Sequence, residues 1–379
     1  MNKHLHIISF DIPYPADYGG VIDVFYKLKA FHKAGILVHL HCFEYGREHS
    51  EELNKFCQQI NYYKRSTGLK SNLSTIPYIV KSRLSKELES RLLQDSYPIL
   101  CEGMHTCGII ESNKFTNRKI IYRAANIEHD YYMALYKAEN SIIKRAYYFI
   151  EANKLKKWEH KLLTVDIILT ISINDEKYYK NLFPNKDVIN TFPFFNNDIN
   201  IKPNFKTKDK YILFHAKLSV QENIETALYI IKSIASKIDS KFIIAGLEPD
   251  DSIITAANTA DNVEIQANLS EIKMQSLLNN AHINILTTKQ ATGLKLKLVN
   301  SLYQSKYIIA NNEMLSGSGL DKLVEIANTS SEIISKSNEL LEKSFTEIDY
   351  EKRMKMIPKE YNNKKRIEEV IKLIYNKHE

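Results

Sequence analysis

The sequence predicts an α/β protein with two domains, each built around a mostly parallel β-sheet. Its 379 residues exceed the size at which a single hydrophobic core usually keeps growing. Short β-branched runs alternate with amphipathic segments, which is typical of βαβ units. The alternation is interrupted between Asp187 and Lys210, where Pro193, Pro203 and several asparagines occur. We therefore expect domains at residues 1–195 and 196–347, followed by a terminal segment at 348–379.

Five strands are predicted in the first domain, at residues 5–10, 37–43, 98–102, 119–123 and 167–172. Between the first two, apolar side chains recur at helical spacing, at Val21, Val24, Phe25, Leu28 and Phe31. Gly35 follows them and marks the end of that helix. The chain is therefore expected to begin with one complete right-handed crossover unit.

The alternation restarts in the second domain, with strands predicted at residues 211–215, 242–245, 263–265, 283–287 and 307–310. Two such sheets in tandem leave a deep cleft, and open α/β sheets bind ligands at the carboxyl ends of their strands. Near the end of the chain, Ile367, Val370, Ile371 and Ile374 recur at helical spacing. They predict a terminal helix that packs against the body of the protein.

Composition excludes several classes of protein. No apolar stretch reaches the roughly 18 residues that a membrane-spanning helix needs, and Asp11 interrupts the apolar start of the chain. We therefore expect a cytoplasmic protein. The four cysteines lack a paired C-x-x-C spacing, which argues against both a zinc site and a disulfide framework.

The formal net charge of +7 is modest for this length, but its distribution is uneven. Eight lysines and arginines lie between Lys55 and Arg91, interleaved with Tyr62, Tyr63 and Tyr78. This basic stretch is either a solvated helix face or a contact surface for an anionic membrane or a phosphate-bearing acceptor. A nucleic-acid partner is not expected, because no binding motif accompanies the charge.

The loop at residues 13–20 carries the first informative motif, which ends in Gly19 and Gly20. Paired glycines before a helix let backbone N–H groups approach an anionic ligand closely. A tight turn alone would also use them. Because the loop follows a predicted strand, we favour contact with a ligand.

The second motif is the segment at residues 292–300, which follows a predicted strand and opens a helix. Lys295 and Lys297 alternate with leucines there, although cations are normally unfavourable at a helix start. A pyrophosphate would compensate both charges, and a nucleoside-diphosphate leaving group requires that stabilisation. The alternative is that both are ordinary surface lysines.

Several motifs occur in one order along nearly the whole chain: Tyr14-Pro15 with Gly19-Gly20, Asn126-Ile127-Glu128, Trp158-Glu159 with Asp166 and Ser172, Leu218-Ser219 with Asn223, and Gly293-x-Lys295-x-Lys297 with Gly319-Leu320. In this order they resemble the retaining, glycogen-synthase-like glycosyltransferases (family four) of GT-B fold. The resemblance implies two facing Rossmann-like domains, a cleft between them and a terminal helix that crosses back to the first domain.

The resemblance also implies a nucleoside-diphosphate sugar as donor, held mainly by the second domain, and an acceptor held mainly by the first. No cofactor and no metal are implied. Lys295 and Lys297 would contact the diphosphate, and Gly19 and Gly20 would close over it. His105 falls where such enzymes place a histidine near the transferred sugar, and a neutral imidazole can orient a hydroxyl there. A satisfied surface histidine is the alternative.

The sequence departs from this family at several donor-binding positions. A glutamate that holds the ribose is usual where Asn300 stands, and many members carry another where Thr292 stands. Asn300 can still accept one hydrogen bond, without the charge that strengthens it. Ala216-Lys217 replaces a Gly-Arg or Gly-Asn pair, so Lys217 is the candidate to replace a phosphate-binding arginine. Ala125 replaces a histidine.

Glu128, His129 and Asp130 form an acidic and imidazole cluster next to a predicted strand. Glu128 is a candidate to orient an acceptor hydroxyl or to act as its base. The alternative is the ordinary preference of helix N-termini for acidic residues. Retaining transfer in this family needs no evident protein nucleophile, and we assign none.

These observations predict a metal-independent retaining hexosyltransferase acting on a glycan, lipid-linked or protein acceptor in cell-surface polysaccharide biosynthesis. A peripheral contact with the inner face of the plasma membrane is part of this expectation. The rival hypothesis is a non-catalytic GT-B protein that binds a nucleotide or glycan within an assembly complex. Asn300 and Ala125 motivate that rival.

Overall fold

The computed structural model describes residues 3–68, 71, 74–196, 202–207, 209–289 and 296–376. These residues form two compact units. The first contains the chain up to residue 196 and the segment from 359, and the second contains the residues from 202 to 358. Across the described residues, no helix combines the length and apolar character needed to cross a bilayer.

The first unit is built around a parallel sheet with the order β3-β2-β1-β4-β5-β6-β7. Its strands are β1 (His4–Ser9), β2 (Leu37–Glu44), β3 (Gln59–Lys64), β4 (Ile99–Glu102), β5 (Ile120–Ala124), β6 (Ile167–Thr170) and β7 (Asp187–Asn190). Its helices before residue 197 are α1 (Gly19–Lys33), α2 (Tyr78–Lys81), α3 (Lys86–Leu92), α4 (Glu128–Ala138), α5 (Ile142–Trp158) and α6 (Ile173–Leu182).

The five strands predicted in the first half are confirmed, with small shifts at their ends. Two further strands, β3 and β7, were not predicted. Both are edge strands, so they are only partly covered and lack a continuous apolar run. Placing the linker as early as Asp187 was wrong at that point, because Asp187–Asn190 pairs in register with β6.

Two apolar layers cover the faces of this sheet. Alternate residues of β1 belong to different layers: Ile8 lies in one, and Leu5 and Ile7 lie in the other. This alternation follows from the two-residue period of a strand. Both faces are therefore buried, as expected for a parallel sheet.

The second unit repeats the plan with the sheet order β10-β9-β8-β11-β12-β13. Its strands are β8 (Tyr211–Lys217), β9 (Lys241–Leu247), β10 (Val263–Ala267), β11 (Ile283–Leu286), β12 (Tyr307–Ala310) and β13 (Glu325–Ile326). Its helices are α7 (Gln221–Ser233), α8 (Asp251–Ala257), α9 (Glu271–Asn280), α10 (Leu296–Gln304), α11 (Asn312–Leu315), α12 (Ser330–Leu341) and α13 (Glu347–Met356). The five predicted strands are confirmed, and the two-residue β13 was missed.

The last helix, α14 (Asn363–Tyr375), packs on the first unit. Ile367, Val370 and Ile374 enter the apolar layer that also contains Val24 and Leu28 of α1. Arg366 is buried next to the rings of Phe194 and Phe195, and it donates a hydrogen bond to the Phe192 carbonyl at 2.6 Å. Apolar contacts and a buried guanidinium thus hold this helix in place.

In each sheet, the strand order reverses between two neighbouring strands. In the first unit the reversal lies between β1 and β4, and in the second it lies between β8 and β11. The connections after these strands leave in opposite directions, so a crevice opens at their carboxyl ends. Those two edges are where ligands are expected.

Candidate functional sites in the two units

Gly19 and Gly20 lie at the carboxyl end of β1 and form the first turn of α1. The glycines were expected to come before this helix, but the helix already includes them. A Cβ on Gly20 would lie 2.7 Å from Cζ of Phe10, so a larger residue at this position would require the Phe10 ring to shift. A Cβ on Gly19 would meet nothing within 4 Å. Packing against Phe10 favours a small residue at position 20, and both glycines stay proposed ligand contacts.

His105 lies in the short 3-10 helix Met104–Glu111, which follows β4 at the reversal point of the first sheet. Its ring is half-buried and stands 5.4 Å from the ring of Phe10. Burial and the nearby charges of Arg83 and Arg65 lower the pKa of His105 well below its ordinary value. Nδ1 has no hydrogen-bond partner among the described residues. His105 is therefore a neutral imidazole with an unused polar atom, rather than a satisfied surface histidine.

Glu128 is the first residue of α4 and is 2% exposed. Burial raises its pKa to about 8, against the opposing effect of Arg83. A carboxyl group with that pKa is mainly protonated at pH 7. Glu128 is therefore suited to donate a hydrogen bond, and a role as general base would require it to lose this proton first.

A buried network of two cations and two carboxylates lies under this edge of the sheet. Lys27 of α1 stands 2.7 Å from Glu102 and 3.0 Å from Asp23, and Arg123 of β5 stands 3.0 Å from Asp23. Glu102 immediately precedes Gly103, whose φ of +72° places it in the left-handed region. The network therefore anchors the carboxyl ends of β4 and β5 and the start of α1.

The basic stretch between Lys55 and Arg91 does not form one continuous surface. Arg83 is only 6% exposed, and Tyr63 is 2% exposed. Lys55 and Arg91 form ion pairs with Glu52 and Glu87. The expectation of a solvated basic face was therefore wrong for Arg83, which points inward. Its side chain donates to the backbone carbonyls of Phe10 and Ile79 at 3.0 and 2.9 Å.

In the second unit, Lys297 and Asn300 lie three residues apart on α10 and share one face of it. The Lys297 ammonium stands 6.0 Å from the ring centroid of Phe214 on β8. Burial and the charge of Lys297 lower the pKa of the neighbouring His215 to about 3. Lys297, predicted from its motif, thus lies next to a neutral histidine that the sequence analysis did not single out.

Three buried polar atoms at this edge have no hydrogen-bond partner among the described residues: His215 Nε2, Thr287 Oγ1 and Asn300 Oδ1. His215 is near the end of β8, and Thr287 directly follows β11. These two strands flank the reversal point of the second sheet. Buried polar groups are normally satisfied, so the three atoms mark a place for a polar ligand. Neither His215 nor Thr287 belongs to a motif that the sequence analysis identified.

Lys217, the last residue of β8, is exposed and stands 3.2 Å from Glu248. Glu248 also accepts a hydrogen bond from Ser219 at 2.9 Å. The charge of Lys217 is therefore partly neutralised by a neighbour in the same unit. Thr292, Gly293 and Lys295, the other predicted donor-binding residues, lie outside the described residues.

The second unit also contains an open depression of about 1040 Å³. Tyr211 and Lys241, the first residues of β8 and β9, contribute to its lining, together with Asn204, Thr207 and residues of α9. None of the predicted donor-binding residues lines it. We assign no role to it, because the unsatisfied polar atoms lie at the opposite ends of these strands.

No protein-family model matches the chain. An uncharacterized 44.6 kDa protein in the cps region of Klebsiella pneumoniae is 23% identical over 347 residues, which cover 86% of this chain and 88% of that protein.

Three solved structures resemble the chain over nearly its whole length. TarM has a TM-score of 0.71 at 12% identity and covers 99% of both chains. The lipopolysaccharide outer core galactosyltransferase WaaB has a TM-score of 0.65 at 11% identity, covering 98% of this chain and 99% of its own. The pneumococcal O-GlcNAc transferase GtfA, in complex with UDP and GlcNAc, has a TM-score of 0.65 at 9% identity and covers 98% of both chains.

The comparisons and the topology agree on the architecture. Two parallel-sheet α/β units of seven and six described strands follow one another along the chain, and TarM, the galactosyltransferase WaaB and the O-GlcNAc transferase GtfA share this architecture. The predicted fold class is therefore confirmed: the chain has the two-domain GT-B fold.

Proposed function

We propose that this protein is a retaining glycosyltransferase. It transfers a hexosyl group from a nucleoside-diphosphate sugar to a glycan, lipid-linked or protein acceptor in cell-surface polysaccharide biosynthesis. The observation that carries this proposal is the set of unsatisfied atoms of His215, Thr287 and Asn300 near Lys297 at the reversal point of the second sheet. The order of motifs shared with the family-four enzymes supports the retaining course.

In this proposal the second unit binds the donor. Lys297 offers a positive charge to the diphosphate, and charge-assisted hydrogen bonds to phosphate are about twice as strong as neutral ones. Asn300 offers its unpartnered oxygen to a ribose hydroxyl. WaaB is named a galactosyltransferase, and GtfA was solved with UDP and GlcNAc, which supports a nucleotide sugar as the donor class.

The first unit binds the acceptor and the transferred sugar. His105 stays neutral, so its imidazole offers both a donor and an acceptor nitrogen to sugar hydroxyls. Glu128, protonated at neutral pH, adds a hydroxyl donor. Fixed polar groups of this kind orient the reacting hydroxyl and lower the entropic part of the barrier.

Transfer is proposed to be independent of metal ions, because lysine charge stabilises the leaving diphosphate. Activity should survive EDTA in the presence of a donor. Full loss of activity on chelation, restored by magnesium or manganese, would contradict this part of the proposal.

A peripheral contact with an anionic membrane is proposed for helix α5. Ile142 and Ile143 are 83% and 84% exposed, and Phe149 and Ile150 are about half exposed. Lys144 and Arg145 adjoin them and are exposed. Exposed apolar side chains beside lysine and arginine are typical of helices that lie in a membrane interface.

A non-catalytic GT-B protein is the second candidate, favoured by Asn300 at a position where the resemblance implies glutamate. The test is a thermal-shift screen against a panel of nucleotide sugars, followed by a donor-hydrolysis assay on each compound that binds. Binding raises apparent stability by mass action. Binding with turnover supports the transferase, binding without turnover supports the second candidate, and no binding of any nucleotide sugar contradicts the transferase.

A further inference from the structure

Two arginines at the carboxyl edge of the first sheet form no ion pair with any carboxylate in the part of the chain that the structure describes. Arg65 directly follows β3, and Arg83 follows α2. Both guanidinium groups lie near one ring, with their carbons 4.2 and 6.0 Å from the ring centroid of Tyr45. Among the described residues, Arg65 donates to the Ser82 hydroxyl and Arg83 donates to backbone carbonyls rather than to carboxylates.

The Arg65 guanidinium is hydrogen-bonded through one of its three nitrogens among the described residues. Its Nη2 donates to Ser82 Oγ at 3.2 Å, while its buried Nε and Nη1 have no hydrogen-bond partner among the described residues. The rings of Tyr45 and Tyr78 cover the guanidinium. Tyr45 is 61% exposed, so the ring next to the Arg65 guanidinium lies at the surface. Unpartnered buried donors are costly, and a ligand that accepts from them would remove the cost.

Asp11 and Glu128 interact electrostatically with Arg83, and they offset its charge only in part. Asp11 accepts hydrogen bonds from the Ile12 amide at 2.8 Å and the Tyr18 hydroxyl at 2.9 Å, and it is 3.4 Å from Arg47. Glu128 has its pKa raised to about 8 by burial, so it is mainly uncharged at pH 7. Burial and the charge of Arg65 lower the pKa of Arg83 to about 10, which still leaves it protonated.

We propose that Arg65 and Arg83 together bind an anionic group, a phosphate or a carboxylate, carried by the sugar acceptor. Guanidinium groups match these anions in charge and in planar geometry. The pair lies close enough to His105 for both charges to act on that imidazole. An acceptor anchored here would therefore lie beside the histidine that we place at the transferred sugar. This inference rests on the proposed function for the identity of the ligand, but anion binding itself can be measured without a donor.

Glycerol 3-phosphate and glucuronate are the probes, with glycerol and glucose as their uncharged counterparts at equal ionic strength. Titration by calorimetry and thermal shift should show binding of the anions only. Arg65→Gln should weaken anion binding about tenfold or more, as for a lost charged hydrogen bond. Lys64→Gln removes an exposed positive charge one residue away and should leave anion binding unchanged. Arg65→Lys keeps the positive charge but loses the planar guanidinium that can donate two hydrogen bonds to one anion, and it should give an intermediate affinity.

The proposed anion site would be contradicted if charged and uncharged probes bound equally. It would also be contradicted if Arg65→Gln and Lys64→Gln lost the same affinity for the anions. UDP, UDP-glucose and UDP-glucuronate separate the acceptor from the donor as the source of the anion. Arg65→Gln should leave all three affinities unchanged. If Arg65→Gln lost affinity for UDP, or for UDP-glucuronate alone, the two arginines would belong to the donor site and the proposal would be overturned. If no nucleotide sugar binds the unmodified protein, the proposed function fails while the glycerol 3-phosphate result still decides this site.

Discussion

Arg123 donates from Nε and Nη2 to the two carboxylate oxygens of Asp23, at 3.0 and 3.2 Å, where both side chains are buried. Burial alone would raise the pKa of Asp23, but the charges of Arg123 and Lys27 outweigh it and hold that pKa below its ordinary range. Asp23 also accepts from the Phe194 amide at 2.6 Å. The pair thus joins α1, β5 and the segment after β7 in one network.

Breaking this pair should destabilise the first unit strongly. Arg123→Met leaves the Asp23 charge buried with fewer partners, and we expect a loss of about 3–5 kcal/mol in the free energy of unfolding. Urea unfolding followed by circular dichroism measures it. Arg91→Met, which breaks the exposed pair with Glu87, is the control and should cost less than about 1 kcal/mol. Similar losses in the two variants would show that the buried network is not the anchor inferred here.

Lys297→Ala should weaken nucleotide-sugar binding and slow transfer, because the diphosphate loses a charged hydrogen bond. The expected loss is about 1–3 kcal/mol in donor binding, measured by calorimetry with the donor that the screen identifies. Lys241→Ala, at the amino end of β9, is the matched control and should bind as the unmodified protein does. Unchanged donor affinity in Lys297→Ala would remove the diphosphate assignment.

Asn300→Ala should raise the donor dissociation constant, with a cost of roughly 0.5–1.5 kcal/mol for one neutral hydrogen bond. Asn300→Glu restores the side chain that the resemblance implies and tests the rival hypothesis. A working site adapted to asparagine should gain nothing from glutamate. If the unmodified protein binds no nucleotide sugar and Asn300→Glu does, the non-catalytic candidate is correct.

Glu128 predicts a pH dependence of stability with a definite sign. Its folded-state pKa of about 8 lies above the ordinary value near 4.3, so the folded state binds the proton more tightly. This contribution is fully present below pH 4 and is lost as pH rises towards 8. Glu128→Gln should remove the dependence and be more stable than the unmodified protein at pH 8, by about 1–4 kcal/mol. A stability difference between the two that is constant from pH 5 to pH 8 would contradict the raised pKa.

The exposed apolar end of α5 predicts binding to anionic vesicles. Ile142→Glu with Ile143→Glu should reduce cosedimentation with phosphatidylglycerol vesicles several-fold, since both residues would insert at the interface. Ile272→Glu, which alters an isoleucine that is 79% exposed in the second unit, is the control and should have no effect. A second copy of the chain could also cover these residues, and analytical ultracentrifugation tests for it. If the unmodified protein is a dimer that the double variant abolishes, and it does not bind vesicles, the apolar end of α5 is a dimer interface and not a membrane contact.

Much of the fold followed from local pattern. The alternation of β-branched runs with amphipathic segments located ten of the strands, because parallel strands buried on both faces leave continuous apolar runs in the sequence. The sequence pattern did not predict β3, β7 and β13. All three lie at sheet edges, and β13 is only two residues long. Polar residues are tolerated there, so the pattern weakens.

For the site, the sequence by itself determined the residue types that motifs carry: Lys297, Asn300, His105 and the paired glycines were all found by spacing and by resemblance. Only the tertiary structure decided which polar atoms lack partners and which charges are buried. His215 on β8 approaches Lys297 on α10, and Arg83 points inward although its stretch of sequence is typical of a surface. Burial and long-range neighbours set both the pKa of a group and its need for a ligand, and neither is encoded in local spacing.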